Sequence, residues 1–461
     1  MNLNQINNVY FIGIGGIGMS ALARYFNYIG KKVAGYDKTP GTITDQLINE
    51  GIEVHFDVNI EKIKKEFNDI KHTLIVYTPA VPDDFEEILY FKEKGFVLHK
   101  RSEILGLLTH DKKTIAVSGT HGKTTTTTLT AHILNQRNEK VSAFLGGISK
   151  NYNTNLLVSE KSDIIVTEAD EYDRSFLHLT PYIAVVTAMD ADHLDIYGTR
   201  DEMVGAYNQF ISQIRKNGFL IYNKKYENDL NKKPAASFSY SLNEKADFYP
   251  YNIRILNNRF CFDLHTPDKE ITNIELGIPG RINIENSVAA MACALLSGVN
   301  EDLLKRAVKT FNGVQRRFDY HLNTDKIVLI DDYAHHPKEL EACITSIKEI
   351  YHDKKVTGIF QPHLYSRTLD FYLEFAQSLD LLDEIILIDI YPAREEPIEG
   401  VSSKLIFDNL KNSNKMLCNK TNLIDCILSK HQEVIVTIGA GDIDRMVEPL
   451  KKALIRKYNL L

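Results

Sequence analysis

Thr114-Ile115-Ala116-Val117-Ser118-Gly119-Thr120-His121-Gly122-Lys123-Thr124-Thr125 is a β-branched, apolar run that passes through two glycines into a lysine and a row of threonines, Thr124 to Thr128. The order is strand, phosphate loop, helix, with helical patterning expected over residues 129–134. Glycine lets the backbone curl so that successive N–H groups face one anion, the helix N-terminus adds partial positive charge, and the lysine adds a full one. Val117 stands where the longer Gly-rich pattern has its first glycine, so the motif is the shorter G-x-x-G-K-T form. The hydroxyl after the lysine is placed to ligate a magnesium ion on the nucleotide. An ordinary strand-to-helix turn would need no Lys-Thr-Thr at the helix start.

On either side of this loop, strand and helix signals alternate, as in parallel α/β sheets. The pattern divides the chain into three parts, residues 1–110, 111–314 and 315–461. In the first, strands are expected at 9–12, 32–37 and 74–77, with a helix over 17–29. Gly13-Ile14-Gly15-Gly16-Ile17-Gly18 is a G-x-G-x-x-G fingerprint, and Asp37 ends the next strand. Such a loop holds a diphosphate on a helix N-terminus, with an acid near a ribose. NAD and a UDP-sugar satisfy it equally well.

In the second part, strands expected at 141–145, 163–167 and 182–187 lead to two acidic clusters, Glu168-Ala169-Asp170-Glu171-Tyr172-Asp173 and Asp190-Ala191-Asp192-His193-Leu194-Asp195. Loops at the carboxyl ends of parallel strands form the ligand crevice, so both clusters should converge on the phosphate loop and hold Mg²⁺ there. Residues 253–262, with Asn257-Asn258 between the halves, read as a β-hairpin added antiparallel to the central sheet. Gly280-Arg281-Ile282-Asn283-Ile284-Glu285-Asn286 precedes an Ala-rich helix at 287–296, its asparagines reading as caps. In the third part, strands expected at 326–330, 356–360, 384–390 and 434–438 end in Asp331-Asp332-Tyr333-Ala334-His335-His336-Pro337, Gln361-Pro362-His363-Leu364-Tyr365-Ser366-Arg367, Tyr391-Pro392-Ala393-Arg394-Glu395-Glu396-Pro397 and Gly439-Ala440-Gly441-Asp442. Mixed acids, arginines and histidines without a thiolate favour substrate contact over a zinc cage.

Composition narrows the function classes. A chain of 461 residues with 44% hydrophobic and 25% charged residues is ordinary for a soluble globular protein, and a net charge of −7 without a basic block argues against nucleic-acid binding. Cys261, Cys293, Cys343, Cys418 and Cys426 lack C-x-x-C spacing, as expected of reduced thiols in a reducing compartment. No 18-residue apolar run and no signal-type N-terminus is present, so a cytoplasmic location and no membrane association are expected.

Taken together, the glycine fingerprint at 13–18 with Met19-Ser20, the phosphate loop, Glu168-Ala169-Asp170-Glu171 with Ser175-Phe176-Leu177-His178-Leu179, Asp192-His193, Arg316-Arg317-Phe318, Asp332-Tyr333 with His335-His336-Pro337, and residues 392–397 resemble the ATP-dependent Mur ligases of peptidoglycan synthesis. The likeness spans essentially the whole chain and is strongest to the branch that joins L-alanine to UDP-N-acetylmuramate. It implies three α/β domains: an N-terminal Rossmann-like UDP-binding domain, a central P-loop ATPase domain, and a C-terminal Rossmann-like domain that closes over the nucleotide and brings in the amino acid. The implied cofactors are ATP and Mg²⁺, and the implied assembly is a monomer or homodimer.

By resemblance, Gly15, Gly16 and Gly18 hold the UDP diphosphate and Asp37 lies near the uridine. Gly119, Thr120, His121, Gly122, Lys123, Thr124 and Thr125 form the ATP loop, with Lys123 on the β- and γ-phosphates. Thr124, Glu168 and His193 serve magnesium, Asn286 reaches adenine, Arg317 the phosphates and Asp332 the ribose. Lys123, His193 and Arg317 carry the catalytic roles, and His363 and Arg367 meet the amino acid and its carboxylate. Ile282, Ala188 and Leu364 depart from residues usual in the family, namely histidine, asparagine and, in many relatives, arginine. Several sister ligases carry a carbamoylated lysine some way after the position of His193; here Asn208 occupies that neighbourhood and no lysine lies between His193 and Lys216, which fits the alanine-adding branch. The ligase that attaches a whole tripeptide is the relative to exclude, and more remotely an NAD-dependent oxidoreductase.

Overall fold

The strand Asn8–Ile12 is buried at every position, as a strand covered on both faces requires. It centres a five-stranded parallel sheet in a computed structural model that describes residues 3–191, 194–231, 233–234, 236–256, 259–393 and 395–460, with residues 194 and 195 described by backbone alone. The chain divides into two compact units, one of residues 1–252, 262–274 and 286–311, the other of residues 253–261, 275–285 and 312–461.

The first unit contains two sheets. Around Asn8–Ile12 lie Lys32–Tyr36 and Glu53–His55 on one side and Thr73–Tyr77 and Leu98–Lys100 on the other. Among the described residues the second sheet has seven strands centred on Lys113–Ser118, which pairs in parallel with Ile183–Val186 and Ile164–Glu168; Ser142–Ser149 and Thr154–Leu157 form an antiparallel pair at its edge. The helix Ile17–Tyr28, launched from the fingerprint, packs on that antiparallel pair as well as on its own sheet. Its Arg24 is buried and donates to Glu50, to Gln46 Oε1 at 2.9 Å and to Asn155 Oδ1, tying the two sheets together with charge-assisted bonds.

The second unit carries a six-stranded sheet, parallel except for the edge pair Asp319–Asn323 and Val328–Asp332. Residues 249–256, 259–265 and 270–275 form a separate three-stranded sheet. The expected addition of a hairpin to the central sheet is therefore wrong, and its Asn257-Asn258 turn lies outside the described residues. Short alternating strands reveal pairing with each other but not which larger sheet they join. Two helix boundaries also differ. The phosphate-loop helix runs Lys123–Leu134 and absorbs all five threonines, all of them buried. The Ala-rich helix runs Arg281–Leu296, so Asn283 and Asn286 lie inside it rather than capping it. Weak threonine and asparagine propensities yield here to packing against the sheet.

A buried polar cluster stands on the face of the first sheet away from the fingerprint helix. The Tyr10 hydroxyl donates to Glu87 Oε2 at 3.0 Å and lies 2.7 Å from His55 Nε2, which is 3.3 Å from Glu87 Oε1. Burial pushes the Glu87 carboxyl up to about 7. The folded state therefore keeps a proton that the unfolded chain releases at lower pH, so this stability is complete below the unfolded pKa and lost as pH rises through the folded one. Burial holds His55 below its ordinary value and gives the opposite slope. Glu87→Gln isolates the carboxyl. Between about pH 5 and about pH 8, the opening free energy of the strand Asn8–Ile12, read by amide exchange, should fall roughly 2–3 kcal/mol further in the wild type than in the variant. Equal pH dependence would show that Glu87 titrates normally.

Candidate functional site

Register brings the strand ends that precede the acidic clusters to the loop. Val117 pairs with Glu168 and Ser118 with Val186, so both neighbouring strands end beside the point where the chain turns into residues 119–125. Gly119 has φ +136° and Gly122 φ +81°. A Cβ on Gly119 would lie 2.0 Å from Thr187 Oγ1, and one on Gly122 2.5 Å from Asn286 Oδ1, so both positions need glycine for conformation and for space. Thr187 fixes the curl by donating to Ser118 O at 3.0 Å and to His121 O. Thr120 N donates to Ala188 O at 3.1 Å. Gly122 caps the helix without any side-chain hydrogen bond, leaving the positive end of the helix to an external anion.

Lys123 reaches across this cradle. Its Nζ donates to Gly119 O at 2.6 Å and to the two Glu171 oxygens at 2.7 and 3.0 Å, and Glu171 is fully buried. Desolvation opposes the ammonium charge, but the carboxylates of Glu171, Asp170 and Glu168 outweigh it and hold the lysine above its ordinary pKa. Tyr197 donates to Glu171 O and braces the acid from behind. Thr124 and Thr125 are buried in the first helical turn, and the Glu168 carboxylate lies over Gly146, where a Cβ would come within 2.2 Å. Asn286 is buried against Gly122. His193 and Asp192 lie outside the described residues. Among the described residues, no group of three or more His, Cys, Asp or Glu could hold a metal ion.

The fingerprint turns as a diphosphate loop does. Gly13 has φ +87°, Gly16 N-caps the helix without a side chain, and Gly15 N donates to Asp37 Oδ2 at 2.7 Å. Asp37 thus sits directly on the loop. A cavity of about 290 Å³ extends from Gly16 and Gly18 past Arg101 and Gly146 to Glu168 and Ser175, all within the first unit.

A second group of candidates gathers in the other unit. Arg316 and Phe318 have φ of 61° and 46°, so strained backbone brackets Arg317. Asp332 accepts from Phe318 N at 2.7 Å and from Ala334 N at 2.8 Å; burial pushes its carboxyl up to about 6 against the pull of Arg317. Both arginines lie over the Tyr333 ring, at 4.9 and 5.0 Å. His335 stands 3.3 Å from Glu339, and burial lowers its pKa to about 4. His363 meets His335 edge-on at 6.1 Å, stacks on Tyr391 at 5.8 Å and lies 3.4 Å from Arg367. Leu364, at φ 72°, opens the helix Tyr365–Leu379 that carries Arg367. Arg394 lies outside the described residues.

Comparison with known proteins gives three successive matches: the catalytic domain of the Mur ligase family over residues 8–113, the Mur ligase middle domain over 117–294, and the Mur ligase glutamate ligase domain over 316–441. The UDP-N-acetylmuramate--L-alanine ligase of Phocaeicola vulgatus is 52% identical over 99% of this chain and 100% of its own length. The chain belongs to the Mur ligase family. The protein of the same name from Flavobacterium johnsoniae is 48% identical over 98% of this chain and 99% of its own. A crystal structure of the UDP-N-acetylmuramate-alanine ligase of Thermotoga maritima matches with a TM-score of 0.83 at 26% identity, covering 97% of this chain and 99% of that one. A murein peptide ligase of Psychrobacter arcticus shares the fold, with a TM-score of 0.70 at 21% identity over 97% and 98%.

As a Mur ligase, this chain uses some of its unusual residues structurally. Ala188 supplies a backbone oxygen to Thr120, and Ile282 is half exposed on the Ala-rich helix. Asn208 donates to Val204 O and Asp229 O and accepts from Asn231 N, fastening a helix to a loop. Sequence reading missed the pairing of Glu171 with Lys123. Four acids crowd residues 168–173, and spacing does not say which faces the lysine, because Asp173 and Arg174 at positive φ redirect the chain within the short helical turn Tyr172–His178. Tyr333 beneath two arginines was likewise invisible, since cation–π geometry leaves no mark in a single sequence.

Proposed function

We propose that this Mur ligase joins L-alanine to the lactyl carboxylate of UDP-N-acetylmuramate at the expense of ATP, an early step of peptidoglycan precursor synthesis carried out in the cytoplasm. The observation that carries the reading is the single cavity from the diphosphate-type loop at Gly16 and Gly18 to Glu168, beside the phosphate loop. A UDP-sugar held at one end presents its far end to the nucleotide at the other. Relatives named for this activity and about half identical over the full length support the same substrates.

The residues suit the groups they are assigned. The cradle at Gly119 and Gly122, in which any Cβ would collide, together with the uncapped helix and Lys123, fits the polyphosphate of ATP. Thr124 and Glu168 offer the hard oxygen donors that Mg²⁺ takes, with His193 as a third partner. Bound there, Mg²⁺ would neutralise charge on the phosphate oxygens and orient them. Lys123 supplies the mobile positive charge and Glu171 keeps it protonated and aimed. Arg317, Asp332, His363 and Arg367 are assigned to the phosphates, the ribose and the amino acid.

A carboxylate and an ammonium ion do not condense in water. The lactyl carboxylate oxygen therefore attacks the γ-phosphorus, ADP leaves, and an acyl phosphate forms; the neutral amine of alanine then adds to the acyl carbon, inorganic phosphate leaves, and the amine proton is released. Catalysis here is positioning and electrostatics, with water kept from the acyl phosphate. The test is a heavy-oxygen label in the lactyl carboxylate. One labelled oxygen should appear in the released phosphate. Label retained entirely in the amide product and solvent would rule out the acyl phosphate route.

A further inference from the structure

Arg101 is the sole cation among the described residues lining the cavity between the fingerprint loop and Glu168, where it is accompanied by two acids, Glu168 and Asp170. It begins the helix Arg101–Thr109, and its side chain lies along Gly18, where an added Cβ would come 2.9 Å from Arg101 Cδ. The preceding Lys100 donates to Asp173 at 2.7 Å. The Arg101 guanidinium stands 3.6 Å from Asp170 Oδ2, and it donates no hydrogen bond to any described residue. A guanidinium has five donors in a planar fork and its charge is permanent, so a half-enclosed one with donors to spare beside a diphosphate-type loop is matched to an oxyanion.

We propose that Arg101 binds an oxyanion of the UDP-linked substrate in this cleft. The inference rests on the functional reading above. The substrate brings a diphosphate and a lactyl carboxylate into a cavity that already holds two carboxylates, and the helix N-terminus at Gly16 supplies only about half a positive charge. Arg101 lies between the loop and the acids at the strand end. On binding, its donors turn from the long contact with Asp170 to the incoming oxygens.

The experiment is calorimetric titration of the full chain with UDP-N-acetylmuramate and with UDP-N-acetylglucosamine, which has the same diphosphate and no lactyl carboxylate. Arg101→Met should weaken UDP-N-acetylmuramate binding by roughly tenfold to a hundredfold. In turnover, KM for that substrate should rise while KM for ATP and for L-alanine stays unchanged, and Arg101→Lys should recover part of the loss. Weakening of both sugars assigns the diphosphate as the partner, and weakening of UDP-N-acetylmuramate alone assigns the carboxylate. Asp170→Asn removes the ion pair and leaves the guanidinium, so it should bind at least as well as the wild type; weakening equal to that of Arg101→Met would make the arginine a strut and overturn the proposal. Unchanged binding by Arg101→Met would overturn it too. A wild type that binds neither sugar would refute the functional reading itself.

Discussion

Lys123→Ala should lower phosphate release by roughly a thousandfold or more while leaving UDP-N-acetylmuramate affinity within about a factor of two. The ammonium is the one full positive charge placed on the phosphate cradle by the loop itself, and it reaches Gly119 O and Glu171 at hydrogen-bond distance. Removing it deprives a buried carboxylate of its counter-charge, which costs about 3–5 kcal/mol when the partner stays ionised. Lost turnover could then follow from a damaged fold. The double variant Lys123→Ala, Glu171→Gln removes both charges, so it should melt close to the wild type yet remain inactive. Turnover restored in the double variant, or equal loss of nucleotide and UDP-sugar binding in the single one, would contradict the two-site arrangement.

Gly119→Ala should abolish measurable ATP binding. The position combines φ +136°, rarely adopted by a residue with a Cβ, with 2.0 Å to Thr187 Oγ1 and 2.6 Å to the Ala188 backbone nitrogen. Rotating the Thr187 side chain would relieve the first clash but break its two bonds to the loop, and the backbone nitrogen cannot move without shifting the strand end. The cost is about 3 kcal/mol or more, concentrated on the loop. Gly30→Ala is the matched control: φ is +79° there and nothing lies within 4 Å, so only the conformational penalty of about 1 kcal/mol remains and activity is kept. Similar nucleotide affinity in both variants would show that the curl at Gly119 is dispensable.

The phosphate loop was legible because the backbone at Gly119 and Gly122 must be written as glycine and Lys123 must follow at a fixed step, and the fingerprint because Gly13 has positive φ while neighbouring side chains leave no room for a Cβ on Gly15 or Gly18. The parallel pairing of most strands followed from the alternation of strand and helix signals. Less was legible wherever tertiary contact decides the outcome. Asn286 reads as a cap and is buried against Gly122 inside a helix. The threonines after Lys123 read as a prelude to the helix and are its first turns, because every one of them packs out of water. Resemblance assigns Arg317 to the phosphates and Asp332 to the ribose, but the strained turn at Arg316 and Phe318 that brings Asp332 onto backbone N–H groups has no sequence signature.

The central claim is that ATP is spent on uniting a UDP-sugar carboxylate with one amino acid. Its most direct test is phosphate release measured with ATP and UDP-N-acetylmuramate against L-alanine, other amino acids and the tripeptide, and with each substrate omitted in turn. Release should require both the UDP-sugar and an amine and be fastest with L-alanine. Turnover supported by the tripeptide alone, or phosphate released without UDP-N-acetylmuramate, would contradict it.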